Sequence, residues 1–225
     1  MAKGPNHGDF FANRVKDVIV VIGGGGQAKV VISILRKLER HRILGYTDLN
    51  DNGAVLGTPY LGSDSELAAL AVGPKELLAV LALGQVGLGK PRYELWTRLQ
   101  SLALSFPLIV SPRAIVNEEV SGGEGAVVMD GAVINSGASL GRGAIVNTNS
   151  TIEHDVVLAD WVHVAPGATI SGGVTVGRFS MIGAGATVIE GMKIAAGCIV
   201  GAGATVVHDL TEPGVYVGSP ARRIK

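Results

Sequence analysis

The sequence predicts a small Rossmann-like parallel α/β domain followed by an all-β parallel coil, and three observations carry that reading. A β-branched apolar run, Val18 to Ile22, leads directly into Gly23-Gly24-Gly25-Gly26. From Val110 to Val206 an aliphatic residue recurs at every sixth position, in sixteen of seventeen places. The chain holds 33 glycines but only 4% aromatics, so large rings are not what fills most of its core.

Residues 1–16, with Gly4, Pro5, Asn6, Gly8 and Asp9, lack the apolar stretch of a secretory signal and read as a flexible extension. A cytoplasmic address follows. Residues 17–106 are the α/β domain. Strand 18–22, the glycine turn, a helix with Val31, Ile34, Leu35 and Leu38 on one face, and a strand from Ile43 to Tyr46 ending near Asp48 make one βαβ unit. A strand at Leu77 to Leu83 and a helix from Arg92 to Leu102, with Leu95, Trp96, Leu99 and Leu102 inward, complete it. Pro107 and Pro112 mark the entry into the coil, which occupies 107–210, and 211–225 reads as a C-terminal tail.

The turn matches G-x-G-x-x-A from Gly23 to Ala28, with the acid Asp48 twenty residues beyond. Three readings stay open: a nucleotide diphosphate held by helix N-terminal amides, a purely structural turn, and a redox dinucleotide site. The 90 residues of 17–106 suit a single mononucleotide-binding half better than the two halves a dinucleotide needs.

Four residues after each aliphatic comes a second series of small or medium side chains, such as Ala126, Ala132, Ala138 and Ala144. Ten times a glycine stands between the two series, where a tight corner needs positive φ. A six-residue unit of short strand plus corner, with both series inward, stacks three to a turn. Seventeen units make between five and six triangular coils, at about 4.8 Å per strand. In this frame Ile152 and Val156 are inward, so His154 and Asp155 stand outside at a corner. Gly172 lies one full coil beyond His154, on the same corner. His163 points outward from a flat strand. Trp161 and Phe179 occupy corner positions that mostly hold glycine elsewhere, a departure that a pure scaffold would not need.

With 19 basic and 19 acidic side chains the formal net charge is zero, which argues against nucleic acid or an anionic membrane as partner. The longest apolar run, Leu77 to Leu83, is far short of the ~20 residues that span a bilayer. The lone Cys198 cannot form an internal disulfide, fits a reducing compartment, and falls in the inward series, which removes it as a nucleophile.

The Gly23 to Lys29 turn, Tyr46-Thr47-Asp48, the stretch Asn147 to Asp155, His163 and the ending Gly214 to Arg222 together resemble the bacterial nucleotide-amino-sugar N-acetyltransferases and the related sialic acid O-acetyltransferases. The likeness runs from about residue 17 onward. It implies that the coil is a left-handed β-helix and that the protein is a homotrimer binding acetyl-CoA in clefts between subunits, with no metal. It implies His154 as catalytic base, Asp155 orienting its ring, His163, Gly172, Ala184 and Ala202 along the acetyl-CoA, and Gly24, Gly25, Gly26, Gln27, Asp48 and Asn147 around the nucleotide-linked amino sugar, whether UDP- or GDP-linked. Many members carry histidine where Gln27 stands, and some a second acid where Leu49 stands. Two other activities fit less well. Acetylation of a sugar hydroxyl would use the same base, and a γ-type carbonic anhydrase would need three zinc-binding histidines, whereas His154 and His163 have no close third.

Overall fold

Four parallel strands in the order β2-β1-β3-β4 open the chain: β1 (Asp17–Ile22), β2 (His41–Thr47), β3 (Leu77–Leu81) and β4 (Leu104–Ser105). The computed structural model describes residues 17–70 and 77–225, so the expectation for 1–16 lies outside the described residues. Helix α1 (Gly26–Leu38) joins β1 to β2, with Ala28, Val31, Ile32, Ile34 and Leu35 buried. A short helix, α2 (Leu67–Leu70), precedes β3, and α3 (Lys90–Leu99) follows it. Helix α3 starts two residues before the sequence expectation and ends three before it, leaving Leu102 in the turn that leads to β4. The two-residue β4 escaped the sequence reading because it is too short to show a period.

From Ile109 onward two-residue strands alternate with corners, and each pairs in parallel with the strand eighteen residues away, as Ile145 does with Val127 and with His163. The result is a parallel β-helix of three faces. An eight-stranded face contains His163–Val164, a six-stranded face Thr151–Ile152 and a five-stranded face Val157–Leu158. Both inward series are buried from Ala126 to Val206 apart from the half-buried Met192, as expected for a prism filled by aliphatic side chains. Only the first coil is open: Val116 is 41% exposed because no turn precedes it. Residues 211–225 are more than a tail. Gly214–Val217 pairs with Cys198–Val200 as a further strand of the eight-stranded face, and Arg222–Arg223 folds back on it antiparallel.

The two domains share their packing. The outer side of the eight-stranded face, through Ile109, Val127, Met129 and Ile145, packs on α1. At the edge between the five- and eight-stranded faces, Trp161 and Phe179 take positive φ of 62° and 64° and turn their rings toward α3. Trp161 meets Tyr93 and Trp96 edge-on at 5.8 and 5.6 Å, and Arg92 lies 5.5 Å above its ring. The aromatic corners that looked like a mark of function in the sequence are therefore the dock of the α/β domain. Left-handed backbone costs a non-glycine residue energy, and ring burial offsets it. Trp161→Ala is expected to destabilise the protein by about 3–5 kcal/mol in reversible denaturant unfolding, because it empties a site that is 99% covered. A loss below about 1 kcal/mol would refute the docking role. Among the described residues no helix is long and apolar enough to cross a membrane.

Candidate active site

In a parallel sheet ordered β2-β1-β3-β4, the chain leaves β1 toward one side and β3 lies on the other. The crevice beyond the carboxyl ends of β1 and β3 is therefore the switch point where α/β sheets bind ligands. The glycine turn supplies one wall. Gly24 has Tyr46 so close that a Cβ there would come within 2.3 Å of the ring, while nothing lies within 4 Å of a Cβ built on Gly25 or Gly26. Those two glycines border a cleft of about 460 Å³, shared with Lys29, Asn52, Ala54, Val55 and Leu56. Helix α1 opens on this cleft with no side-chain cap and no acid in its first turn, so its amides are available to an anion. The Asp48 carboxylate accepts from the Gly24 N–H at 2.6 Å and fixes the turn. Gln27 does not line the cleft, and its Nε2 faces Met129 Sδ on the prism at 4.0 Å.

The loop after β3 stands on the other side of the glycine turn from this cleft, and it lies on the prism. Gly89 N donates to Phe179 O at 3.3 Å, Gly87 N to Met181 Sδ at 3.2 Å, and His163 Nδ1 meets the Gln85 carbonyl at 3.0 Å. His163 does point outward from its strand, but this loop covers it to 5% exposure, because the α/β domain closes that face of the same chain. Its second nitrogen, Nε2, sits 3.1 Å from Asn147 Nδ2. Burial, abetted by the nearby Arg92 charge and opposed by the Gln85 carbonyl, lowers the His163 pKa to about 4, so the ring is neutral near pH 7.

His154 stands elsewhere. It lies at the edge between the six- and five-stranded faces, opposite the eight-stranded face that carries His163. Its ring is exposed, and Nδ1 meets Asp155 Oδ2 at 2.9 Å, which leaves Nε2 free. The Asp155 hydrogen bond, with help from the charges of Asp155, Glu153 and Glu190, raises its pKa above the ordinary imidazole value despite some desolvation. Gly172 is beside it, as the eighteen-residue period requires, but the room it leaves is not empty. A Cβ at Gly172 would come within 2.5 Å of His154 Nε2, so the imidazole itself takes the space. Glu153 accepts from Asn135 Nδ2, which in turn receives a bond through its Oδ1 from Asn117, a ladder one coil per rung.

Ala184 and Ala202 are exposed one above the other at a third place, the edge between the eight- and six-stranded faces, where Gly203 N donates to Ala184 O at 2.9 Å. Thus one chain gathers Gly24, Gly25, Gly26, Asp48, Asn147 and His163 on one side, and places His154, Asp155 and Gly172 on another. A second histidine-aspartate pair, His208-Asp209, stands three coils beyond His154, and its acid acts differently from Asp155: Asp209 accepts from Lys193 N at 2.8 Å and caps the last coil. Gln85 and Arg92 were not singled out in the sequence. The signal was there in Gly84-Gln85-Val86-Gly87-Leu88-Gly89, a glycine-punctuated loop at the carboxyl end of a parallel strand.

The model of the PglD N-terminal domain family matches residues 18–90. A histidine variant of perosamine N-acetyltransferase from Caulobacter crescentus, solved with CoA and GDP-perosamine, is 35% identical over 95% of this chain and 100% of its own, with a TM-score of 0.87. The acetyltransferase domain of PglB from Neisseria gonorrhoeae FA1090 is 32% identical over 93% of this chain and 100% of its own, with a TM-score of 0.85. This chain belongs to the hexapeptide-repeat nucleotide-amino-sugar N-acetyltransferase family. WeeI from Acinetobacter baumannii AYE, 24% identical over 93% of this chain and 100% of its own at a TM-score of 0.81, shares the fold. A comparison with curated protein sequences finds no match.

Proposed function

We propose that this protein transfers the acetyl group of acetyl-CoA to the amino group of a UDP- or GDP-linked 4-amino-4,6-dideoxy sugar, in sites shared between the subunits of a homotrimer. The observation that carries the reading is the opposition of His154 to the nucleotide crevice across the prism. A base on that edge can serve a sugar held at the crevice only if another copy of the chain brings it there. Threefold packing of flat prism faces does so, placing the His154, Asp155 and Gly172 edge of one subunit against the Asn147, Ala184 and Ala202 edge of the next. The acetyl-CoA would lie along that seam. The relative from Caulobacter crescentus holds CoA together with GDP-perosamine, and the PglB domain has been solved with acetyl coenzyme A, which supports both substrate classes.

In the reaction the sugar amine attacks the thioester carbonyl, His154 Nε2 takes the proton the amine loses and passes it to the departing sulfur, so the C–S bond breaks, CoA leaves as the thiol and the imidazole is restored. Asp155 holds Nδ1, so the attacking lone pair of the ring is Nε2 and the imidazolium is stabilised as it forms. No covalent enzyme intermediate is needed, and alignment of the two substrates supplies much of the rate. The amides at the start of α1 suit the diphosphate, and Asp48 shapes the turn that presents them.

Release of CoA thiol by the purified protein, given acetyl-CoA and a panel of nucleotide-linked amino sugars and hydroxy sugars, tests the assignment. Acetylation confined to amines is expected, whereas turnover of hydroxy sugars alone would establish the O-acetyltransferase activity instead. In the same assay Asp48→Ala is expected to raise the KM for the nucleotide sugar roughly tenfold or more, the scale of a lost charge-assisted bond, with little change in that for acetyl-CoA. An equal rise in both would contradict the division of labour between the domains.

A further inference from the structure

The hydrogen bonds around His163 form a chain whose polarity can be read from one end to the other. Thr148 N is only a donor, and it lies 2.8 Å from Asn147 Oδ1, so that atom is the amide oxygen and Nδ2 faces His163. Thr148 Oγ1, 3.3 Å away, also bonds the same oxygen. The Asn147 Nδ2 group is only a donor, so the His163 Nε2 it meets at 3.1 Å must be an unprotonated acceptor. The Gln85 carbonyl is only an acceptor, so His163 Nδ1, at 3.0 Å, carries the proton. Each link fixes the next, and all are made within one chain.

We propose that His163 is a positioning residue: locked as the Nδ1–H tautomer between the Gln85 carbonyl and the Asn147 amide, it turns Asn147 into a fixed donor that faces the reacting groups. With its oxygen taken by Thr148 and one N–H taken by His163, Asn147 has a single N–H left to offer. Such a donor suits an oxygen, either a sugar hydroxyl or the thioester carbonyl on which negative charge develops, and leaves the amine lone pair unhindered. The relay also ties this donor to the loop after β3 through the Gln85 carbonyl. His163 has no proton-transfer task, since both its nitrogens are engaged and only 5% of it is exposed. This rests on the proposed acetyl transfer, although the relay itself can be measured without turnover.

The decisive measurement is nitrogen NMR of the ring in full-length protein labelled at histidine, with His163 assigned by its disappearance in His163→Gln. The expected pattern is a protonated Nδ1 and a bare Nε2 that persists from neutrality to about pH 5, through the range where an ordinary histidine titrates. Asn147→Asp should convert the ring to the doubly protonated form, because a carboxylate cannot donate to Nε2. In turnover, His163→Gln, which can donate to Gln85 and accept from Asn147, is expected to keep kcat within a few-fold of the parent, whereas His163→Leu should lose roughly 10²-fold in kcat, the scale of a misplaced reacting group. An Nε2–H tautomer, or titration of His163 near its ordinary value, would overturn the proposal. So would equal losses in the Gln and Leu variants, or a loss in His163→Leu confined to the acetyl-CoA KM. If no sugar is acetylated by any form of the protein, the activity assignment fails, and the NMR pattern alone then decides the relay.

Discussion

Replacing His154 by alanine is expected to lower kcat by roughly 10²–10⁴-fold, the range for a lost general base, while both KM values stay near those of the parent. The expectation follows from a ring that is exposed, has Nε2 unengaged and packs flat on Gly172, and so is held without being buried. The pH profile gives a sharper reading. A base must be deprotonated to act, and the Asp155 bond raises the His154 pKa, so kcat should begin to fall at a higher pH than for an unperturbed imidazole as the solution is acidified. Asp155→Asn removes the charge that raises it, which should move that acid limb to lower pH and depress the plateau, since the base becomes weaker and its ring less constrained. An acid limb unmoved in Asp155→Asn would mean that another group is the base. His163 cannot produce the limb, because burial holds its pKa near 4.

Mixing two inactive proteins should restore activity. When His154→Ala and Asn147→Ala chains are unfolded together and refolded, a mixed trimer has one seam in which intact His154 of one subunit faces intact Asn147 of the next. From an equal mixture roughly a quarter of all sites should therefore be native, and kcat per chain should recover to about that fraction. The prediction comes from topology. His154 is at an edge of the prism and Asn147 beside the opposite face, whose strands pair coil by coil without a break, so no movement of side chains brings them together within one chain. Recovery absent from mixtures whose trimers are shown by mass to be mixed would place both residues in a single-chain site and remove the argument for a shared one. Light scattering that finds only monomer would do the same.

Much of this was legible in the amino-acid order because the prism is a local structure repeated. With six residues to a unit, the sequence states which side chains are inward, so the outward corner of His154 and Asp155 and the adjacency of Gly172 needed no coordinates. The turn from Gly23 to Ala28 was equally plain, since strand, glycine and helix follow without interruption. Less was visible where contacts join distant segments. Trp161 and Phe179 broke the corner rule for a packing reason, and only the position of α3 revealed it. Gln27 lay within the motif and yet faces Met129, because a helix face is chosen by what packs beside it.

The sequence by itself determined the fold of each half and the outward residues of the coil, because a period of six and a β-branched run ahead of glycines constrain backbone and burial within a few residues. Only the tertiary structure decided what those residues face. It was the seating of the α/β domain on the eight-stranded face that covered His163 with the Gln85 loop, made it neutral and joined it to Asn147, while leaving His154 bare on the far edge. Burial and partnership depend on which surfaces meet, and that is settled by packing between segments dozens of residues apart, where no local period reaches.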